Sequence, residues 1–141
     1  MVNLCTYNTL RVYAKAKDCL EINSLSDLKQ LNTTDPILFL GEGANVLFTS
    51  DFPGTVARVN ITGFQVLKET DSEILIEANA GQNWHDLVIW TAGNNWWGLQ
   101  NMALIPGTAG AAAIGNIAAY GGNQEDVFDS LTAIDLQTGR P

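Results

Sequence analysis

The sequence predicts an α+β fold, in which a small parallel α/β unit comes first and strands joined by tight turns come second. Two observations lead to this prediction. An apolar strand, a helix-forming segment and another apolar strand precede a glycine-rich loop, an order typical of a parallel α/β unit. After Pro53 and Gly54, short alternating segments are separated by turn residues, as in hairpins. We therefore expect one lobe over residues 1–53 and a second, incomplete lobe over residues 54–141.

The first lobe is predicted to contain two strands around a helix. A strand at 20–22 leads to a helix that Ser24 or Ser26 caps, since serine oxygens accept the free N–H groups of a first helical turn. Pro36 follows this helix and ends it. The strand at 37–40 is apolar at every position, so we expect it to be buried on both faces. The helix residues predicted to share one face are Leu25, Leu28 and Leu31.

The second lobe is predicted from alternating apolar residues, turn residues and one helix cap. Asn83 is a suitable N-cap, and Gly93 ends the helix that follows it. The apolar face of that helix consists of Trp84, Leu87, Val88 and Thr91. The other predicted elements are a strand over 55–60, a hairpin of strands 63–69 and 73–79, a loop with one short helical turn over 106–122, and a strand over 131–136. A Thr-Gly turn after this last strand has no return strand, so we interpret the chain as a fragment.

The charge of the chain excludes several classes of function. Seven Lys and Arg residues stand against fifteen Asp and Glu residues, which gives a net charge of −8. Nucleic-acid-binding proteins need a basic surface, and an anionic membrane would repel this chain, so we expect neither as a partner. Two cysteines and one histidine lack metal-ligand spacing, which predicts no metal site and a reduced, intracellular protein.

The acidic and basic residues are unevenly distributed. No charged side chain occurs between Leu87 and Gln124, although Gly, Ala, Asn and Trp are frequent there. An uncharged stretch of this length is unusual for a solvated surface. We expect it to be buried or to face a ligand.

The first candidate binding segment, here called loop 1, comprises residues 41–46 directly after the strand at 37–40. Amide groups of a glycine-rich turn can bind phosphate oxygens without a cationic side chain. Loop 1 lacks the third glycine and the following helix of the dinucleotide fingerprint, and it lacks the lysine of a P-loop. A tight turn that only leaves a buried strand is therefore the alternative interpretation.

The second candidate segment, here called loop 2, comprises residues 106–121 and is rich in Gly and Ala. Small residues at this density let a bulky ligand lie against the backbone, with the amides of residues 107–110 and the side chain of Asn116 as donors. Close packing of helices through small residues is the alternative interpretation.

Four sequence blocks occur in the order of a known family. They are Leu-Gly-Glu-Gly-Ala-Asn-Val-Leu-Phe at 40–48, Gly-Gln-Asn-Trp-His-Asp-Leu-Val at 81–88, Gly-Leu-Gln-Asn-Met-Ala-Leu-Ile-Pro-Gly-Thr-Ala-Gly at 98–110 and Asn-Ile-Ala-Ala-Tyr-Gly at 116–121. Together they resemble the UDP-N-acetylenolpyruvoylglucosamine reductase family, flavoenzymes of bacterial peptidoglycan precursor synthesis. The blocks occur in the order of the family across nearly the whole chain.

The resemblance implies a fold, a cofactor and a reaction. The fold is that of vanillyl-alcohol-oxidase-type enzymes, a small α/β lobe packed on a mixed, largely antiparallel lobe with FAD between them. The reaction is NADPH-dependent reduction of UDP-N-acetylenolpyruvoylglucosamine to UDP-N-acetylmuramate in the cytoplasm. The family's catalytic serine and glutamate and its substrate-binding domain match nothing in this sequence. We therefore assign no catalytic residue, and we expect the chain alone to be inactive.

The resemblance also implies which residues bind FAD. Alanines at 44, 111, 112 and 118 depart from the family, where serine or glycine is common, so backbone amides must replace some hydroxyl contacts. The residues assigned to FAD are Gly41, Glu42, Gly43, Ala44, Asn45, Val46, Pro106, Gly107, Thr108, Gly110, Ala111, Ala112, Ile114, Asn116, Ile117, Ala118 and Gly121.

Other residues are interpreted more simply. His85 is expected to pack or to make a local hydrogen bond rather than transfer a proton. The tryptophans at 84, 90, 96 and 97 are expected in the core and the lobe interface. Residues 7–9 match the opening Asn-Thr element of the family near the flavin, and an ordinary strand start explains them equally well. A non-enzymatic α/β ligand-binding or interaction module that retains flavin-type loops is the alternative function.

Overall fold

The computed structural model describes residues 1–31 and 34–141. These residues form two compact units, the first comprising residues 1–59 and 129–141 and the second comprising residues 60–128. No helix among the described residues is long and apolar enough to cross a membrane.

The first unit contains a four-stranded sheet. Its strands are β1 (Val2–Asn3), β2 (Lys15–Ile22), β3 (Ile37–Leu40) and β4 (Phe52–Val59), in the spatial order β1-β2-β4-β3. Both β2 and β3 run parallel to β4, whereas β1 is antiparallel to β2. The prediction of a parallel α/β unit is therefore confirmed. Strand β2 begins five residues earlier than the predicted strand at 20–22.

Strand β3 has the predicted bounds but not the predicted burial. Only Leu40 is buried, and Phe39 is 42% exposed. Because β3 lies at the edge of this sheet, its outer face is not covered as that of a central strand is, so the expectation of burial on both faces was wrong.

The segment between β2 and β3 forms a 3₁₀ helix, Leu25–Gln30, rather than an α-helix. Ser24 caps it, and Asp27 completes a capping box by accepting hydrogen bonds from the backbone N–H groups of Asn23 and Ser24. The Ser24 hydroxyl and these N–H groups lower the pKa of Asp27. Leu31 is buried, but Leu25 is exposed, so the three leucines do not share one buried face.

Strand β4 corrects the expected lobe boundary. It pairs with β2 on one side and with β3 on the other, so the predicted break between residues 53 and 54 falls inside the central strand of the first sheet. The physical reason is that strand pairing, which is non-local, decides to which unit a strand belongs.

The strand predicted over 131–136 is absent. Leu131 is 64% exposed, and the segment is irregular and pairs with no strand among the described residues. The carboxylate of Asp135 instead accepts hydrogen bonds from the backbone N–H groups of Gln137 and Thr138, which lowers its pKa and forms a turn. Apolar alternation without a neighbouring strand is not enough to form one.

The second unit matches its predicted elements closely. The hairpin consists of antiparallel strands β5 (Phe64–Glu69) and β6 (Ile74–Ala78). Helix α1 (Trp84–Gly93) begins after Asn83, whose side chain accepts the N–H of Asp86, and its buried residues are Trp84, Leu87, Val88 and Thr91 as predicted. Helix α2 (Ala109–Gly115) and a short antiparallel pair, β7 (Ala118–Ala119) and β8 (Gly122–Asn123), follow. The core of this unit consists of Trp84, Leu87, Val88, Met102 and Ala112.

Candidate functional site

Loop 1 leaves the carboxyl end of β3 and is packed tightly at Gly43. The φ angle of Gly43 is +67°. A Cβ atom at this position would lie 2.0 Å from the backbone oxygen of Tyr7. Both the left-handed backbone and the close approach therefore require glycine here.

Loop 1 is held by its carbonyl groups, which leaves its N–H groups available. The carbonyl oxygens of Gly43 and Ala44 accept hydrogen bonds from the backbone N–H (3.2 Å) and the hydroxyl (3.3 Å) of Thr9. In a trans peptide the N–H points opposite to the C=O, so the N–H groups of Ala44 and Asn45 point away from Thr9. Within the described residues, the N–H groups of Gly43, Ala44 and Asn45 donate no hydrogen bond. Such a cluster of unpaired amides suits an anion.

The structure brings residues 7–9 against loop 1, although the sequence pattern alone did not assign them to the site. Asn8 is 2% exposed. Its Nδ2 donates to the carbonyl oxygens of Leu4 (2.9 Å) and Val12 (3.1 Å), and its Oδ1 accepts the N–H of Val12 (2.9 Å). Asn8 thus shapes the turn that carries Thr9 to loop 1. The match to the Asn-Thr element was the signal that could have found it.

Replacing Asn8 with alanine is expected to destabilise the protein by about 2–3 kcal/mol, because buried backbone groups of Leu4 and Val12 lose their partners. Chemical denaturation measures this change. Asn45→Ala is the matched control, since Asn45 is exposed and its side chain makes no hydrogen bond to the described residues, and it should change stability by less than about 0.5 kcal/mol. Equal effects of the two variants would contradict the structural role of Asn8.

In loop 2, two of the expected donor amides are already used. The N–H groups of Ala109 and Gly110 donate to the carbonyl oxygens of Gln82 (2.8 Å) and Ala80 (3.0 Å). The N–H of Trp84 in turn donates to the carbonyl of Gly107 at 3.0 Å. The expectation that the amides of residues 107–110 donate to a ligand is therefore corrected at Ala109 and Gly110, because Gln82 and Ala80 already accept from them.

The small residues of loop 2 serve two different purposes. A Cβ at Gly110 would lie 2.8 Å from the Cβ of Ala80, and Ala112 is buried in the core. Close packing, the alternative interpretation, explains these two positions. Gly107 (φ +132°) and Gly121 (φ +80°) differ, because a Cβ at either would meet nothing within 4 Å. The backbone beside these two glycines is therefore accessible.

The outer side of loop 2 is apolar. Ile114 is 88% exposed and Tyr120 is 90% exposed. Both residues belong to the stretch between Leu87 and Gln124 that contains no charged side chain. Contact of these exposed apolar side chains with a flat, largely apolar ligand is more favourable than their contact with water.

The side chain of Asn116 is engaged within the protein. It ends α2 with φ +43°, its Nδ2 donates to Glu125 Oε2 (3.0 Å), and its Oδ1 accepts the N–H of Glu125 (3.1 Å). Glu125 therefore uses one of the two N–H donors of Asn116 Nδ2, and the expected role of this amide as a ligand donor stays a prediction. Four other assigned residues have structural roles in their units. The Thr108 side chain caps α2 by accepting the N–H of Ala111. Val46 and Ile117 pack against the cores of their units, and Ala118 lies in β7.

A buried acceptor without a partner lies close to loop 2 in the chain. Gln124 is 9% exposed, and its Oε1 has no hydrogen-bond partner among the described residues. Its backbone N–H donates to the carbonyl of Ile117 at 3.0 Å. A buried acceptor of this kind needs a donor from water or a ligand. No motif in the sequence pointed to Gln124.

The other predictions for single residues are mostly confirmed. His85 Nδ1 accepts the N–H of Leu104 at 3.2 Å, the local hydrogen bond that was expected. Trp84 is buried, and its Nε1 donates to the carbonyl of Met102 at 2.9 Å. Trp97, however, is 69% exposed and does not belong to the core.

Comparison with known proteins agrees with this geometry. A family described as FAD binding domain matches residues 23–141. The chain is 40% identical over 139 residues to the UDP-N-acetylenolpyruvoylglucosamine reductase of Flavobacterium johnsoniae, covering 96% of this chain and 41% of the relative. The protein of the same name from Burkholderia cenocepacia is 42% identical over 142 residues, covering 97% and 41%. The chain thus spans about two fifths of the length of these curated relatives.

A solved structure is similar as well. The crystal structure of UDP-N-acetylenolpyruvylglucosamine reductase from Thermus caldophilus matches with a TM-score of 0.67 and 26% identity, covering 89% of this chain and 44% of that one. The resemblance of the four sequence blocks to this reductase family is confirmed, and so is the α+β FAD-binding fold that it implied.

Proposed function

We infer the function of this chain from its family, since it belongs to the FAD binding domain family and its cofactor is FAD. We propose that it is the FAD-binding part of a UDP-N-acetylenolpyruvoylglucosamine reductase. The observation that carries the proposal is loop 1, whose three unpaired amides follow a parallel strand within a block that resembles the reductases. The whole reductase would use NADPH and UDP-N-acetylenolpyruvoylglucosamine in the cytoplasm, for peptidoglycan precursor synthesis.

The residues of loop 1 fit the pyrophosphate of FAD. Amides of Gly43, Ala44 and Asn45 supply donors for phosphate oxygens, and an amide site needs no lysine or arginine within the loop. The carbonyl groups of Gly43 and Ala44 stay bound to Thr9, so the loop is held in place before the ligand arrives. Binding therefore costs little additional ordering of the backbone.

The residues in and after loop 2 fit the flavin. The open backbone beside Gly107 and Gly121 and the exposed side chains of Ile114 and Tyr120 suit its ring system. The unpartnered Oε1 of Gln124 suits an N–H or O–H donor, and the flavin and its ribityl chain carry both. We propose that these residues contact the flavin and that Ala109 and Gly110 support them without donating to it.

FAD, when bound, supplies reversible hydride transfer. The part of this chain is to bind and orient the cofactor, since the resemblance assigns the serine and glutamate of the reaction to residues outside these 141. We therefore propose that the chain alone holds FAD and does not reduce the substrate. The acidic residues after loop 2 fit this assignment, because Glu125, Asp126 and Asp129 would repel an anionic nucleotide sugar.

Adding FAD to the purified chain is expected to produce a flavin absorbance band that survives desalting. FAD should also raise the melting temperature, because a ligand at 100 times its Kd stabilises the folded state by about 2.7 kcal/mol. Riboflavin, which lacks the pyrophosphate, is the matched ligand control and should bind more weakly. If FAD did not change the melting temperature, this result would favour the alternative function, a non-enzymatic module that only retains flavin-type loops.

A further inference from the structure

We propose that Arg58 is a phosphate-binding residue that completes the anion site of loop 1, and that Tyr7 positions it. The inference rests on the proposed binding of FAD and adds a cationic contact that neither the family resemblance nor the glycine-rich motif assigns. The ligand group is a diphosphate, and we assign it to the pyrophosphate of FAD.

Arg58 lies at the edge of the sheet from which loop 1 departs. It is the penultimate residue of β4, and its register partner across the sheet is Leu40, which directly precedes loop 1. Because β3 and β4 are parallel, their carboxyl ends meet at the same edge. Ligands of parallel sheets bind at that edge.

Tyr7 contacts both parts of the proposed site. The guanidinium carbon of Arg58 lies 5.7 Å from the centroid of the Tyr7 ring, within the range of a cation–π interaction. The backbone oxygen of the same tyrosine packs against Gly43, where a Cβ would approach it to 2.0 Å. One residue therefore contacts both the arginine, through its ring, and the loop, through its backbone oxygen.

Arg58 is half-buried and makes no ion pair within residues 1–31 and 34–141. The acidic residue facing it is Glu21, its register partner on β2, which shares its face of the sheet. The neighbouring Cys19 side chain, partial burial and the negative charge of Glu21 raise the pKa of Tyr7. No carboxylate of the described residues lies within ion-pair distance of Arg58, so the guanidinium is available to an incoming phosphate.

The test is to measure FAD affinity of Arg58→Gln against the wild type. We expect affinity for FAD to fall about tenfold or more, as for the loss of a charge-assisted hydrogen bond, and affinity for riboflavin to stay within about twofold. In the wild type, salt should weaken the binding of FAD but not of riboflavin, and Arg58→Gln should flatten this dependence. Tyr7→Phe should bind FAD normally because it keeps the ring, and Tyr7→Leu should weaken binding.

Lys15→Gln is the matched control. Lys15 also contacts an aromatic ring, with its Nζ 5.8 Å from the Tyr13 centroid, but it is the first residue of β2 and therefore lies at the opposite end of the sheet. This variant removes one positive charge and should leave the Kd of FAD unchanged.

Several outcomes would overturn the inference while leaving the proposed function intact. The first is an unchanged affinity of Arg58→Gln for FAD, and the second is an equal loss of affinity for FAD and for riboflavin. The third is a loss of affinity for NADPH, titrated in the same way, without a loss for FAD, which would assign Arg58 to a different diphosphate. If Arg58→Gln does not fold, salt-independent binding of FAD to the wild type has the same consequence. A wild-type chain that binds no FAD at all would instead contradict the proposed function.

Discussion

Replacing Gly43 with alanine is expected to unfold the region around loop 1 and to abolish retention of FAD. The new Cβ would lie 2.0 Å from the backbone oxygen of Tyr7, and backbone atoms cannot yield as the end of a flexible side chain can. The left-handed backbone at φ +67° adds a penalty of about 1–2 kcal/mol for a residue with a Cβ. With overpacking, the total loss should reach about 3–5 kcal/mol, a large part of the stability of an ordinary domain.

Gly139→Ala separates packing from backbone strain. Gly139 has a φ of +66°, nearly the same as Gly43, but a Cβ there would meet nothing within 4 Å. This control should lose only about 1–2 kcal/mol, or less where the chain end is locally unfolded. Chemical denaturation of the apo proteins and titration with FAD measure both effects. If the two variants lost equal stability, contact with Tyr7 would not be the reason for glycine at position 43.

The elements that sequence patterns predicted well are those defined by neighbours along the chain. Helix α1 has its cap, its buried face and its end encoded within a dozen residues, and all three agree with the structure. The β5–β6 hairpin is likewise set by its own turn. Such local signals do not depend on the rest of the fold.

The elements that were predicted wrongly depend on distant partners. Residues 15–19 are polar or small, yet they form part of β2 because β4 lies beside them. Residues 131–136 alternate as a strand would, yet they form none because no strand pairs with them in the described chain. Pairing overrides intrinsic strand preference in both directions.

The candidate site shows the same division. The glycine-rich character of both loops could be read from the sequence. Which amides remain unpaired could not, because Thr9, Ala80 and Gln82 are distant along the chain from the loops they contact. The same limit applies to Arg58, because only the register of β3 and β4 places it beside Leu40, the residue that precedes loop 1.

Replacing Trp84 with alanine is expected to destabilise the second unit by about 3–5 kcal/mol, as for other large-to-small changes in a core. The Trp84 side chain is 3% exposed and packs in the cluster that contains Met102 and Ala112. Its removal would leave a cavity, and the carbonyl of Met102 would lose the N–H that it accepts at 2.9 Å. Trp84→Phe should lose less, since it keeps most of the ring volume but not the hydrogen bond.

The same substitution should loosen loop 2. The backbone N–H of Trp84 donates to the carbonyl of Gly107, next to the bonds from Ala109 and Gly110 to the segment 80–84. Hydrogen exchange at the amides of Ala109 and Gly110 should therefore accelerate in Trp84→Ala, because local opening needs less free energy. Trp97→Ala is the matched control, since Trp97 is 69% exposed, and it should change stability by less than about 0.5 kcal/mol. Slow exchange at these two amides in a destabilised Trp84→Ala protein would show that loop 2 does not depend on the core beneath α1.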